Sequence, residues 1–138
     1  AAFYEEIFKI ERPEFHDLPE SIDRPFWGRI AEPVAQQYAL KQPHLKIIAE
    51  KLAAPGAWES FLATVRERVR PPGQIKECLR RAGAAHTAAD IRCSRERLRA
   101  AVLHMHETRK RCTVVDLAWR VGVLPGRGEE LMDRWLTA

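Results

Sequence analysis

Cysteine is scarce here. Cys78, Cys93 and Cys112 are three in number, widely spaced, and form no C-x-x-C pair. That excludes a zinc ribbon and a disulfide framework, and fits a reducing compartment. Cys78 falls at helical spacing with Ile75, Leu79 and Ala82, so it reads as a small buried hydrophobe. No apolar run approaches the roughly 18 residues a membrane-spanning helix needs, so no membrane is expected. No basic-then-apolar leader opens the chain, which points to a cytoplasmic location. Alternating apolar and polar stretches, the mark of half-buried strands, are missing as well. Met is absent from the first position, and Ala1-Ala2-Phe3-Tyr4 enters in mid-helical pattern, as a piece of something longer would.

What is present suits one helical domain. The 138 residues are 46% apolar and 30% charged, a globular balance with room for a single core, so residues 1–138 read as one domain. Apolar residues recur near the 3.6-residue period almost throughout. Ala2 to Ile10 reads as a helix end. Residues 11–25 carry Pro13, Pro19 and Pro25 and form a Pro-rich loop, with Ser21 or Asp23 available as the next cap.

Phe26 to Leu40 follows as a helix with Phe26, Trp27, Ile30, Val34 and Tyr38 inward, and Pro33 either kinks it or marks its first turn. Pro43 then separates it from a helix over 44–53, with Leu45, Ile48 and Leu52 on one face. After Pro55-Gly56, a stripe of Trp58, Phe61, Leu62, Val65 and Val69 opposes Arg66, Glu67 and Arg70. A short helix over 74–82 closes at Gly83, in the left-handed position after a helix end. Thr87 to Asp90 has the shape of an N-terminal cap. Ser94 caps a helix with Leu98, Ala101, Val102 and Met105 inward. Thr113 caps another with Val114, Leu117, Ala118 and Val121 inward and Gly122 at its end, and residues 131–136 finish the chain. The expected fold is all-α, a bundle of about seven or eight helices.

Charge is unevenly spread. Residues 66–111 hold thirteen basic and five acidic side chains, or +8, between segments at −3 and −1. Within that basic segment, Arg109-Lys110-Arg111 precedes the cap at Thr113. Three cations beside free N–H groups and a positive dipole end could cradle a phosphate. The other reading is a solvated turn whose charges offset Asp116 and Glu107. His104 and His106 would lie about 200° apart on a helix, on opposite faces, and so could not chelate one ion together. No H-E-x-x-H, glycine-rich phosphate loop or G-x-S-x-G occurs. Residues 113–135 have a helix-turn-helix outline, but the second helix carries Glu129, Glu130 and Asp133 against Arg134, the wrong sign for nucleic acid.

The stretch Leu79-Arg80-Arg81-Ala82-Gly83-Ala84, then Asp90-Ile91, Ser94 to Arg99, and Arg109-Lys110-Arg111-Cys112-Thr113-Val114-Val115-Asp116-Leu117-Ala118-Trp119 with Gly122 and Leu124 resembles the C-terminal helical domain of sn-glycerol-1-phosphate dehydrogenases. These belong with the iron-containing alcohol dehydrogenases and 3-dehydroquinate synthases, and the bacterial branch is closest in pattern. Tyr4-Glu5, Trp58 and Pro71-Pro72 agree more loosely.

The resemblance implies a two-domain oxidoreductase. An N-terminal nucleotide-binding domain or subunit, missing here, would bind NAD(P), and a divalent metal (zinc, iron or nickel) would polarise the carbonyl of a small phosphorylated substrate. A homo-oligomer is compatible with it. The family's metal ligands, an Asp and two His, match no residue here. The last of them belongs to a His-Gly motif expected just before residue 1, so no catalytic, cofactor-binding or metal residue carries over. This segment alone is then expected to be inactive. The alternative is a non-catalytic helical interaction module, or the partner subunit of a separate nucleotide-binding chain. The stretch departs from the family pattern in places. Cys112 replaces an aromatic, Val115 a Leu, and Arg92-Cys93 a Gly-Ile, while Ala85 and Ala88 stand where prolines are common. A glycine at 92 would suit a turn with positive φ.

Overall fold

Proline, glycine and short polar side chains set the helix ends. The computed structural model describes residues 1–137, and its helices run α1 Ala2–Ile7, α2 Arg24–Trp27, α3 Ala31–Leu52, α4 Ala57–Arg66, α5 Pro72–Arg81, α6 Arg95–His104, α7 Val114–Arg120 and α8 Gly128–Met132. The fold is all-α, with eight α-helical segments and no strand among the described residues. No helix among them is long and apolar enough to cross a membrane.

The caps are local and follow their side chains. Asp23 accepts from the Phe26 N–H at 3.1 Å to start α2. Ser94 accepts from the Arg97 N–H at 3.3 Å to start α6. Gly83, at φ +67°, ends α5, and the Ala84 N–H reaches back to the Leu79 carbonyl at 2.9 Å. This is a Schellman closure, which uses carbonyls the helix leaves over. The Pro-rich stretch is irregular from 10 to 23 and strapped down by polar contacts. Trp58 Nε1 donates to the Ile10 carbonyl at 2.9 Å, Tyr38 Oη to the Pro19 carbonyl at 2.6 Å, and Arg120 to the His16 carbonyl at 3.1 Å.

Four expectations are corrected. α3 runs unbroken through Pro43. A mid-helix proline costs about 3 kcal/mol, but Tyr38, Lys41 and Leu45 are buried on either side of it and hold both halves in one line. Phe26, Ile30 and Ile48 are 43%, 55% and 38% exposed rather than inward. Ala101 is exposed on α6. Cys78 is exposed too, while Ile75 and Leu79, about two-fifths exposed, line a cleft with Phe3, Val102 and Trp135.

Two apolar clusters result. The main core joins Ile7 of α1, Trp58 and Leu62 of α4, Val102 of α6, Leu117 of α7 and Leu131 of α8. Each such side chain contributes about 1.5–3 kcal/mol on burial. A smaller cluster of Ile22, Ala31 and Tyr38, flanked by Trp27 and Val34, sits under α2 and the head of α3.

Candidate functional site

The basic turn at 109–111 leads into α7. Arg109, Lys110 and Arg111 are all exposed, and no described ion pair uses them. The helix start beside them is closed internally. Thr113 and Asp116 form a capping box: the Asp116 Oδ2 accepts from the Thr113 N–H at 2.7 Å, and the Thr113 Oγ1 takes the Val115 N–H at 3.3 Å. An anion at this turn would therefore be met by the three side chains more than by open N–H groups.

Asp116 is not offset by that turn. It is 1% exposed, and its Oδ1 lies 2.6 Å from Nζ of Lys41, a lysine with no exposure at all. The same Nζ donates to the His106 carbonyl and lies 5.2 Å from the Tyr38 ring centre. Burial pushes the Tyr38 hydroxyl up to about 12, so it stays a neutral donor to Pro19. Glu107, the other carboxylate expected to face the basic turn, is 4% exposed and takes the Trp27 indole N–H instead. Both corrections have one cause. These acids point inward, and their partners come from α2 and α3, more than 70 residues away in sequence.

A cleft of about 220 Å³ opens beside the turn, lined by Phe15, Leu45, Ile48, Cys112, Thr113 and Arg120 among others. Burial, with the Asp116 charge adding to it, raises the Cys112 thiol above its ordinary value. Arg120 bonds the Asp17 carboxylate at 2.8 Å, while its Nε is buried without a partner.

The rest of the basic segment is partly neutralised. Arg95 pairs with Asp133 and, at 2.6 Å, with Glu129, and Arg99 also reaches Glu129 at 2.6 Å. Arg127 and Arg134 hold Glu130. The acids on the second helix of the helix-turn-helix outline are thus engaged with arginines of this chain.

The histidines do not lie as a single helix would set them. α6 passes into a 3-10 turn at Met105, and both rings approach one carboxylate oxygen. His104 Nδ1 is 3.3 Å and His106 Nε2 4.0 Å from Glu107 Oε1. Burial holds His106 below the ordinary histidine value, so it is neutral near pH 7. Among the described residues no three His, Cys, Asp or Glu side chains form a group that could hold a metal ion.

At position 92, Arg92 is in the left-handed conformation at φ +52°, the single positive-φ non-glycine among the described residues. No protein-family model matches the chain, and neither a curated protein nor a solved structure shows significant similarity to it.

Proposed function

We propose that the chain is the helical domain of a glycerol-1-phosphate dehydrogenase-like oxidoreductase, dependent on NAD(P) and a divalent metal and not competent alone. The observation that carries this reading is Arg92. The resemblance expects glycine there, and the backbone adopts the left-handed conformation that glycine takes without cost. The flanking motif residues serve the same frame: Gly83 ends α5, Ser94 starts α6, and Thr113 with Asp116 starts α7.

The surface supports incompleteness. The chain exposes 9104 Å², against about 7300 Å² for a compact monomer of its mass by general scaling. Leu40, Ile47 and Ile48 on α3 are among the large apolar side chains left open. The residues present do not fit the metal, so no chemical step is assigned to them. The metal and the nicotinamide belong to the domain this reading adds. The basic turn at 109–111 is the part of this chain proposed to border the substrate phosphate.

Enzyme assays test the reading. The 138-residue chain should neither oxidise glycerol 1-phosphate with NAD(P) nor retain stoichiometric zinc. A chain extended upstream to include a nucleotide-binding domain ending in the His-Gly motif should do both. Activity of the short chain, or an upstream frame without such a domain, overturns it. In the extended enzyme Arg109→Ala and Arg111→Ala should each raise KM for the phosphorylated substrate severalfold, in line with the loss of a charge-assisted contact. An unchanged KM leaves these arginines as surface charge. The open α3 surface also favours a second reading, a non-catalytic interaction module or the partner of a separately encoded nucleotide-binding chain. A start codon immediately before Ala1 would select it.

A further inference from the structure

Three segments form the apolar wall of the cleft beside the head of α7. Leu45, Ile48 and Leu52 come from α3, Phe61 from α4, and Phe15 from the loop after α1. Phe15 and Phe61 both rest on Trp58, with ring centroids 6.1 and 5.6 Å away. Trp58 is itself buried and tied to the Ile10 carbonyl, so this wall is set before a ligand enters. The space of about 220 Å³ exceeds the roughly 150 Å³ that receives a benzene ring in a dry apolar cavity. Arg120 belongs to the same lining and is 9% exposed. Its Nη1 spans the His16 carbonyl and the Asp17 carboxylate. Nε is buried with no partner, and Nη2 makes no hydrogen bond among the described residues. A buried donor without an acceptor calls for one. The guanidinium edge between Nε and Nη2 offers two parallel N–H groups, which match the two oxygens of a carboxylate.

We propose that this cleft is a binding site for a small aromatic carboxylate, its ring against Phe15, Ile48 and Phe61 and its carboxylate on the Nε–Nη2 edge of Arg120. The other polar lining groups are spoken for. Asp116 is held by Lys41 and Thr113. Burial keeps the Tyr4 hydroxyl and the Cys112 thiol above their ordinary values, so both are neutral at pH 7. An entering anion therefore meets no uncompensated acid. Asp17 is a weak competitor, because its side chain is 93% exposed and such a pair is screened by water. Nε is shielded from solvent, and the carboxylate reaches it as the Arg120 head turns away from Asp17. The exposed cations at 109–111, next to Cys112 in sequence, draw anions toward the cleft. A phosphate without an apolar body would leave the aromatic wall unfilled, so this site is independent of the phosphate-bordering role proposed for 109–111.

Titration of the unaltered 138-residue chain with 3-phenylpropionate, followed by amide NMR, tests the site, with 3-phenylpropanol as the uncharged counterpart. The acid should bind with a Kd of about 0.1–1 mM, the range for a ligand of about eleven non-hydrogen atoms. The alcohol should bind about tenfold more weakly, for want of the charge-assisted pair. Shifts should centre on Ile48, Leu52, Phe61, Cys112 and Arg120, and saturation should slow alkylation of Cys112 severalfold while Cys78 and Cys93 react as before. Arg120→Gln should erase the preference for the acid. Ile48→Trp fills the cleft from a partly exposed position on α3 and should abolish binding of both compounds; it and the acid–alcohol comparison decide the matter if Arg120→Gln fails to fold. Glycerol 1-phosphate should not displace the acid, and displacement would give the cleft to the phosphate instead and overturn the carboxylate site. No binding of the acid up to about 10 mM, equal Kd for acid and alcohol, shifts centred elsewhere, or undiminished binding in Ile48→Trp also overturns it.

Discussion

The two apolar clusters are built in different ways. The main core draws Ile7, Trp58, Val102, Leu117 and Leu131 from five helices spread along the chain, and apolar contact does most of the closing, with Trp58 on the Ile10 carbonyl and Arg127 on the buried Glu6 as polar additions. The small cluster takes its buried members from residues 22–38 and is fastened to the rest by polar groups: Trp27 to Glu107, Lys41 to Asp116, Tyr38 to Pro19. Burying polar groups is favourable only when each finds its partner. The main core should therefore tolerate small losses in proportion to volume, whereas the joint should fail when one partner is removed. The small cluster supplies few side chains, so its own apolar contribution is modest, and the joint decides whether α2 and the head of α3 stay docked.

The sharpest test of that contrast is Lys41→Met. It leaves Asp116 as a buried carboxylate with its ion-pair partner gone, for which a loss of about 3–5 kcal/mol is expected. Chemical denaturation reads it. Adding Asp116→Asn to Lys41→Met should recover part of the loss, because the stranded charge is gone while the amide oxygen can still accept from Thr113. A single-variant loss below 1 kcal/mol would mean that the joint is not held by this pair.

Truncation of each cluster comes next. Leu62→Ala should cost about 2–5 kcal/mol in global unfolding, the range for a buried Leu that leaves a cavity. Ile22→Ala should cost less globally and lower hydrogen-exchange protection mainly in α2 and the head of α3. Equal global losses with uniform loss of protection would dissolve the distinction and make the chain one cooperative core.

The contrast also explains what could be read in the sequence. Caps were legible, because Asp23, Ser94 and Thr113 act on N–H groups two or three residues away. The stripes of α4 and α7 were legible for the same reason: periodicity is local. The joint was not. Lys41 lies next to Leu40, which is 57% exposed, and nothing nearby marks the lysine as buried, since Asp116 stands 75 positions on. Pro43 carried a strong local stop signal that the packing of Tyr38 and Leu45 overrode. One continuous helix would set His104 and His106 on opposite faces, and the 3-10 turn at Met105 breaks that geometry. In the candidate site, Arg109, Lys110 and Arg111 stand in an exposed turn at the head of α7, as their place before the cap implied. The inward turn of Asp116 and Glu107 depends on partners that only the fold supplies.

A pH dependence separates the joint from the core. Folding lowers the His106 value, chiefly by burial, so the unfolded chain binds this proton more readily than the folded one. Stability from this group is complete above the ordinary histidine range and declines as pH falls from about 6.5 toward the folded value. His106→Phe should remove that part of the acid sensitivity. The ring packs 4.7 Å from Trp119 and 5.9 Å from Tyr38, contacts a Phe can keep, while the variant gives up the Nδ1 contact to the Leu103 carbonyl at 2.9 Å, so the slope with pH and not the absolute stability is the readout. Unfolding midpoints measured from pH 7.5 to 5.5 should then fall less steeply in the variant. An identical slope would assign the acid sensitivity to other groups.

The smallest expected effect lies outside both clusters. Arg92 is exposed and holds φ at +52° after the short turn at Ala89–Ile91. A left-handed conformation costs a residue with a Cβ about 1–2 kcal/mol, while glycine adds about 0.5–1 kcal/mol of unfolded-state entropy to be lost on folding. Arg92→Gly should therefore stabilise the chain by about 0.5–1 kcal/mol, read as a shift in denaturation midpoint at unchanged slope. Arg92→Ala is the control that decides the cause. Alanine also has a Cβ and should bring no such gain, whereas a gain equal to that of glycine would trace the effect to the lost guanidinium charge in a basic segment. If glycine gains and alanine does not, the strain is in the backbone. Position 92 then asks for glycine on physical grounds alone.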